Sequence, residues 1–259
     1  MKIALLLSGL QRNFKPFIKN QIECLIKKYN CDLFIYTSNE NNNRYISDGV
    51  IGYKQNKIFN NDENFFYSRY NNYLKLIYID YNNKNFNEFL NNYDISKTKN
   101  FHINLISSYF KVRNCIKLMY DYEQNNNIKY DIVIRARLDF FVNNNFANYN
   151  LLEFDLKNNI YGSQFRCGHK DDCFFIMDRK YINIFYDFIF HLLEIRVSDN
   201  NIWVEKELID KIEKYTNLIF LKNFGERIGS NTPLKNIPFF NKDNLNLLYS
   251  IEYLHTLKW

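Results

Sequence analysis

The sequence predicts an α/β fold in which helices cover both faces of a mostly parallel central sheet, and three observations predict it. Short apolar runs alternate with segments of helical periodicity along most of the chain, which is typical of β-helix-β units. The 259 residues, 46% of them hydrophobic and 18% aromatic, are enough to bury the core of one such domain. Neither an internal repeat nor a proline- or glycine-rich linker divides the chain. We therefore expect residues 1–259 to form a single domain.

The amino-terminal segment predicts one β-helix-β unit. Residues 2–7 form a buried strand, and the pair Ser8-Gly9 ends it in a turn. A helix follows over 16–29, with a proline in its first turn and apolar residues at helical spacing. A second strand at 31–36 completes the unit, which normally makes two parallel strands.

The rest of the chain continues the alternation. Apolar residues at helical spacing over 103–123 predict a long helix, which leads into a strand at 130–141. The other expected elements are strands at 74–79, 172–177 and 218–221 and helices at 85–92, 179–195 and 203–215. Asparagine-rich segments near 39–72 and 143–150 predict surface loops.

The strand at 130–141 carries the most informative pattern in the chain. Arg135, Arg137 and Asp139 alternate with apolar residues, so an extended strand projects all three side chains from one face. A guanidinium binds phosphate oxygens through paired donors, and an aspartate binds Mg²⁺ or Mn²⁺ through oxygen. The three side chains therefore suit a metal-bound diphosphate. The alternative is an internal ion pair in which they only neutralise each other.

A second segment is expected to meet this strand at the same edge of the sheet. Ligands in open α/β sheets bind at the carboxyl ends of strands, and Ser8, Gly9 and Arg12 follow the first strand as Asp139 ends a later one. The alternatives are an ordinary tight turn at Ser8-Gly9 and a surface charge at Arg12. The presence of both segments favours a shared ligand site.

The charge of the chain restricts the class of ligand. A net charge of +6 and an isoelectric point near 8.8 favour an anionic ligand. The lysines are scattered, with no long basic block and no aromatic signature of an RNA-binding module. Nucleic acid is therefore not an expected partner.

Cysteine usage and hydropathy favour the cytoplasm. The five cysteines lack paired short spacing, which fits reduced thiols better than a disulfide framework. Cys167, His169 and Cys173 form a Cys-x-His-x-x-x-Cys cluster, but the sequence offers no evident fourth zinc ligand. The apolar run at the amino terminus is too short for a signal peptide, and no segment approaches the roughly 20 apolar residues that cross a bilayer. No pattern indicates an oligomeric state.

Four segments together carry a resemblance to a known family. They are residues 2–14 with the helix and strand up to 37, the helix at 107–112 that leads into 130–139, residues 171–177 with the helix after them, and 205–208 at the start of a late helix. In order and spacing they resemble the small GT-A-type glycosyltransferases found in large DNA viruses and in bacterial surface-polysaccharide loci. The resemblance implies a GT-A-like Rossmann-type fold and, for a viral member, the host cytoplasm.

The same resemblance implies a nucleoside-diphosphate sugar as donor, carrying UDP, GDP or dTDP, a saccharide or similar acceptor, and Mn²⁺ or Mg²⁺. It implies that Ser8, Gly9 and Arg12 lie near the nucleotide, and the expected donor-binding set is completed by Lys111, Arg135 and Arg137. Asp139 stands for the last carboxylate of the usual Asp-x-Asp metal motif, and Arg137 replaces the first one. His255 is the candidate for a second metal ligand; alternatively, arginine charge replaces part of the metal's role.

Two aspartates are the candidate catalytic residues. Asp172 begins a predicted strand and is the first candidate for the base that an inverting transfer needs, whereas its neighbour Asp171 points the other way. The alternative is that these adjacent acids form only a polar loop. Asp139 is the other candidate, because the cation that it is expected to hold would stabilise the negative charge of the departing diphosphate. Residues 1–140 are expected to form the nucleotide-binding half, and residues 141–259 the acceptor-side half with a carboxyl-terminal tail.

Two other functions compete with sugar transfer. A sugar nucleotidyltransferase needs a glycine- and lysine-rich triphosphate loop after the first strand, and residues 8–14 hold one glycine and no lysine. A non-catalytic nucleotide- or RNA-binding protein would use the positive charge and the exposed aromatic side chains. Binding to single-stranded nucleic acid without preference for a sugar nucleotide would distinguish this binding protein from a glycosyltransferase.

Overall fold

The structure is a computed structural model that describes residues 1–11, 14–39, 61–93, 100–142, 149–164, 170–195, 204–222 and 225–227. Its strands are β1 (Ile3–Leu10), β2 (Asp32–Ser38), β3 (Leu74–Asp80), β4 (Ile132–Arg137), β5 (Phe140–Val142), β6 (Asn159–Gln164), β7 (Lys170–Asp178), β8 (Asn217–Lys222) and β9 (Gly225–Arg227). Its α-helices are α1 (Ile18–Gln21), α2 (Glu63–Tyr70), α3 (Lys84–Leu90), α4 (Asn100–Asn126), α5 (Ile182–Tyr186), α6 (Phe188–Glu194) and α7 (Val204–Glu213). A π-helical turn, Ile22–Lys27, directly continues α1.

Seven of these strands form one sheet in the order β3-β2-β1-β4-β7-β6-β8. Strands β1 to β4 are parallel to one another, and β6 is parallel to β8. Strand β7 is antiparallel to both β4 and β6, so it alone runs against the common direction of this sheet. The expected α/β fold with a mostly parallel sheet is confirmed. Strands β5 and β9 form a separate two-stranded sheet.

Helices cover both faces of the large sheet, as expected. On one face, α1, the π-helical turn and α2 bury apolar side chains that include Ile18, Leu25 and Phe66. On the other face, α3 to α7 bury a second core in which Tyr109 and Phe188 are fully enclosed. Because both faces of β1 are covered, its residues from Ile3 to Leu7 are at most 4% exposed.

Four sequence expectations were wrong in detail. Gly9 does not end the first strand, because β1 continues to Leu10 with Gly9 paired to Thr37 of β2. The strand that begins at Ile132 stops at Arg137, and Asp139 lies in the turn before β5. The helix expected over 179–195 is interrupted at Asp187. Finally, α2 and β6 form where no element was expected.

The large sheet takes strands from both of the halves expected from the sequence, since β1 to β4 precede residue 141 and β6 to β8 follow it. The assignment of nucleotide and acceptor roles to these halves stays a prediction. Within the described part of the chain, no helix is both long and apolar enough to cross a membrane.

Candidate functional site

The candidate site lies at the edge of the sheet where the six co-directional strands end. Because β7 runs the other way, its first residues lie at this same edge. Ala136 near the end of β4 pairs with Phe174 of β7, and two residues beyond each of them lie Leu138 and Asp172. The antiparallel strand therefore brings Asp172 beside the turn that holds Asp139.

Arg137 and Asp139 form a closed ion pair at this turn. The Nε atom of Arg137 donates to Oδ1 of Asp139 at 2.8 Å, and Nη2 donates to Oδ2 at 3.1 Å. The two side chains are 14% and 4% exposed. Burial opposes the guanidinium charge, but Asp139, together with Cys173 and Asp172, more than offsets this effect and raises the pKa of Arg137. The internal ion pair that the sequence left open is thus present for these two residues.

Arg135 forms no such ion pair with a carboxylate of the described residues. It is 1% exposed, and its Nε and Nη1 atoms are buried without a hydrogen-bond partner among the described residues. Burial raises the pKa values of Tyr109 and Cys115 on α4. The positive charge of Arg135 partly opposes both rises. An ionised group without a partner is costly to bury, so these donors are suited to an anionic ligand.

Asp172 is held by a residue that the sequence did not single out. The hydroxyl of Tyr109 donates to Oδ2 of Asp172 at 2.8 Å, and the Cys173 thiol contacts Oδ1 at 3.7 Å. Burial first, and then the charge of Asp172, raises the pKa of Tyr109 well above its usual range. Tyr109 therefore stays a neutral donor, and Asp172 remains half-buried at the edge. Glu205 of α7 contributes to the same rise in the pKa of Tyr109.

Ser8 and Gly9 lie inside β1 rather than in a loop. The carbonyl oxygen of Ser8 accepts from the Leu138 amide at 3.1 Å, which ties β1 to the turn after β4. The carbonyl oxygen of Gly9 accepts from the Thr37 hydroxyl at 2.8 Å. Gly9 has a φ of 142°, a backbone conformation that favours glycine. Both residues shape the edge through their backbones; donor binding by either one stays a prediction.

Lys111 is a further buried cation, on the inner side of α4. It is 1% exposed, and its Nζ atom donates to the Ser107 hydroxyl at 2.6 Å. The same atom lies 5.7 Å from the centre of the Phe86 ring. Cys115, one helical turn away, contacts the carbonyl oxygen of Leu7 in β1 at 3.6 Å. Lys111 thus belongs to the layer that carries Tyr109, and contact with a donor stays a prediction.

Two buried amides fix the turn that carries Asp139. The Gln21 side chain donates to the carbonyl oxygens of Leu138 and Phe140 at 3.0 and 3.2 Å, and it accepts from the Tyr70 hydroxyl at 2.7 Å. The Asn20 side chain exchanges two bonds of 2.9 Å with the backbone of Val142. We call this pair the amide clamp. No sequence signal distinguishes these amides from the surface amides that are abundant in this chain.

The described residues at this edge do not fit a divalent cation. Among them, no group of three histidine, cysteine or acidic side chains is arranged to hold a metal ion. Both oxygens of Asp139 accept from Arg137, and those of Asp172 are engaged by Tyr109 and Cys173. Arg12 and His255 lie outside the described residues, as do Cys167 and His169. Metal binding by Asp139 and His255 is therefore not supported by the described geometry and stays a prediction.

No family model and no curated protein matches the sequence. Among solved structures, one titled "crystal structure of a glycosyltransferase involved in the glycosylation of the major capsid of PBCV-1" matches over 86% of this chain and 83% of that chain. The identity is 8% and the TM-score is 0.41. These values are too low for a functional assignment, which must come from the residues at the sheet edge.

Proposed function

We propose that this chain is a glycosyltransferase that moves a sugar from a nucleoside-diphosphate donor to a hydroxyl group of a saccharide or similar acceptor. The observation that carries the proposal is that the strands which meet here, β4 and β7, supply both a buried guanidinium and a carboxylate. Arg135 is a buried arginine with unpartnered donors, Asp172 is a carboxylate held by Tyr109, and both act electrostatically on Tyr109. The first suits the diphosphate that leaves, and the second suits the hydroxyl that attacks.

The proposed reaction needs one proton transfer and one bond exchange. The acceptor oxygen attacks the anomeric carbon and gives its proton to a carboxylate oxygen of Asp172. The bond between that carbon and the diphosphate oxygen breaks, and its electron pair leaves with the nucleoside diphosphate. Arg135 stabilises the negative charge that develops there, because fixed donors in a water-poor site need little reorganisation. This assignment of Asp172 applies to a transfer with inversion.

The proposal is tested by release of nucleoside diphosphate from UDP-, GDP- and dTDP-sugars, with water or added saccharides as acceptor. We expect one donor class to be turned over and Asp172→Asn to lower its turnover by about a hundredfold or more. The matched control is Asp210→Asn, which removes an exposed carboxylate on α7. Binding of a nucleoside diphosphate without turnover of any sugar donor would instead favour a non-catalytic nucleotide-binding protein.

A further inference from the structure

The closed pair Arg137–Asp139 changes what the turn after β4 can bind. A divalent cation needs carboxylate oxygens that face open coordination space, together with further oxygen ligands. Arg137 donates to each oxygen of Asp139, and the Asp139 side chain is only 4% exposed. The guanidinium thus already supplies positive charge at the position where a cation would approach this carboxylate.

Arg135 lies two residues before Arg137 on β4, and its interactions differ from those of Arg137. Its charge is buried, yet no carboxylate among the described residues forms an ion pair with it. Asp172, near the start of the neighbouring strand β7, is engaged by Tyr109 and Cys173. Two guanidinium donors, Nε and Nη1, are therefore left for a ligand, and phosphate oxygens accept hydrogen bonds from such donors.

We infer that this chain binds the diphosphate of its donor through arginine charge, with Arg135 as the contacting residue, and without a divalent cation. The inference rests on the proposed function and deepens it. Arg137 is the resident counter-charge of Asp139 and keeps the turn neutral. Arg135 contributes the uncompensated positive charge, which the diphosphate neutralises when it binds.

The test is thermal unfolding of the whole chain in phosphate-free buffer, with inorganic pyrophosphate and with UDP, GDP and dTDP. Each ligand is added once with EDTA and once with excess Mn²⁺. We expect pyrophosphate and one of the nucleotides to raise the melting temperature with EDTA present, because a ligand that binds only the folded state stabilises it. The shift is expected to be the same with Mn²⁺.

Arg135→Met tests the contacting residue, and Arg69→Met, at an exposed arginine of α2, is the matched control. We expect Arg135→Met to lose the ligand-induced shift and to weaken pyrophosphate affinity by about tenfold or more, since a charge-assisted contact is removed. Without ligand, this variant should melt no lower than the parent protein, because an unpaired buried charge is replaced by an apolar side chain. The control should keep the full ligand-induced shift.

Each other outcome has a separate meaning. A shift that appears only with Mn²⁺ would overturn the metal-free inference and leave the proposed transfer standing. A full shift in Arg135→Met, or a large drop in its ligand-free melting temperature, would show that Arg135 is structural and would overturn the inference as well. If no diphosphate binds under either condition, both proposals fail. Metal-free binding without any sugar turnover would overturn the proposed function alone.

Discussion

At the scale of single residues, the Arg137–Asp139 pair makes a prediction about stability. Asp139→Ala leaves a mostly buried guanidinium, 14% exposed, without the carboxylate that receives both of its hydrogen bonds. We expect a loss of about 3–5 kcal/mol in the free energy of unfolding, as for other buried pairs from which one partner is removed. Urea unfolding followed by circular dichroism measures it.

The control for this prediction removes both charges. Arg137→Met combined with Asp139→Leu leaves no unpaired charge, so we expect a smaller loss than for Asp139→Ala alone. A loss below about 1 kcal/mol in the single variant would mean that the pair behaves like an exposed one and contributes little.

Tyr109 makes a prediction about pH dependence. Its hydroxyl donates to Asp172, and a donated hydrogen bond stabilises the charged form of a carboxylate. Tyr109→Phe removes the bond, so the pKa of Asp172 should rise relative to the parent protein. A base must be deprotonated to act, and we therefore expect the acid limb of the rate profile to move to higher pH.

The measurement is the pH profile of nucleoside-diphosphate release for both proteins. Tyr120→Phe is the matched control, because Tyr120 lies on the same helix and bonds Asn183 instead of an acid. If the profile of Tyr109→Phe is lower at every pH but unshifted, Tyr109 supports the fold and does not tune Asp172.

At the scale of elements, the amide clamp predicts that helix α1 fixes the conformation of the turn after β4. Gln21→Leu removes the partners of two buried carbonyl oxygens and of the Tyr70 hydroxyl. We expect a loss of about 1–3 kcal/mol in the free energy of unfolding, because a buried group that loses its partner keeps its desolvation cost. Sugar-nucleotide turnover should fall as well, since the same turn directly follows β4, which carries Arg135, and lies beside Asp172.

Chemical unfolding and donor turnover are measured side by side, with Gln124→Leu at an exposed position of α4 as the control. Unchanged values for both proteins would show that α1 does not position the turn.

The elements also show what the sequence could and could not predict. Apolar runs predicted β1, β2 and β4, because these strands are buried over most of their length, and helical periodicity predicted α4, because one face of it is buried. Helix α2 was missed because only Phe66 and Tyr70 of its eight residues are buried, so it lacks a clear apolar stripe. The clamp was missed because a buried amide and a surface amide have the same sequence signature.

At the scale of the whole molecule, sheet order predicts a gradient of local stability. Strand β1 lies between two strands and has a hydrophobic core on each of its faces. Strand β8 ends the sheet, and its Ile219 is 39% exposed. Backbone hydrogen bonds open more readily where fewer buried contacts hold them. Hydrogen exchange followed by mass spectrometry should therefore show the slowest exchange in β1 and β4 and faster exchange in β8. Equal rates across the sheet would contradict this gradient.

The direction of β7 is the whole-molecule feature that the sequence did not reveal. Its apolar run predicted a strand, but a buried strand has the same composition in either direction. Asp172 nevertheless lies where the parallel strands end, because the start of an antiparallel strand meets the ends of parallel ones; its part in the reaction stays a prediction. For Arg135 and Arg137, alternation correctly placed both on one face, but only three-dimensional contacts separate the paired arginine from the unpaired one.

The π-helical turn Ile22–Lys27 has a consequence for how related chains are compared. Each of its hydrogen bonds encloses one residue more than the bonds of an α-helix. A chain one residue shorter here can keep the same helix as a regular α-helix, with Gln21 and the strand at Asp32 both in place. An alignment with such a shorter chain needs a single-residue gap in this segment to keep the positions on both sides of the turn in register.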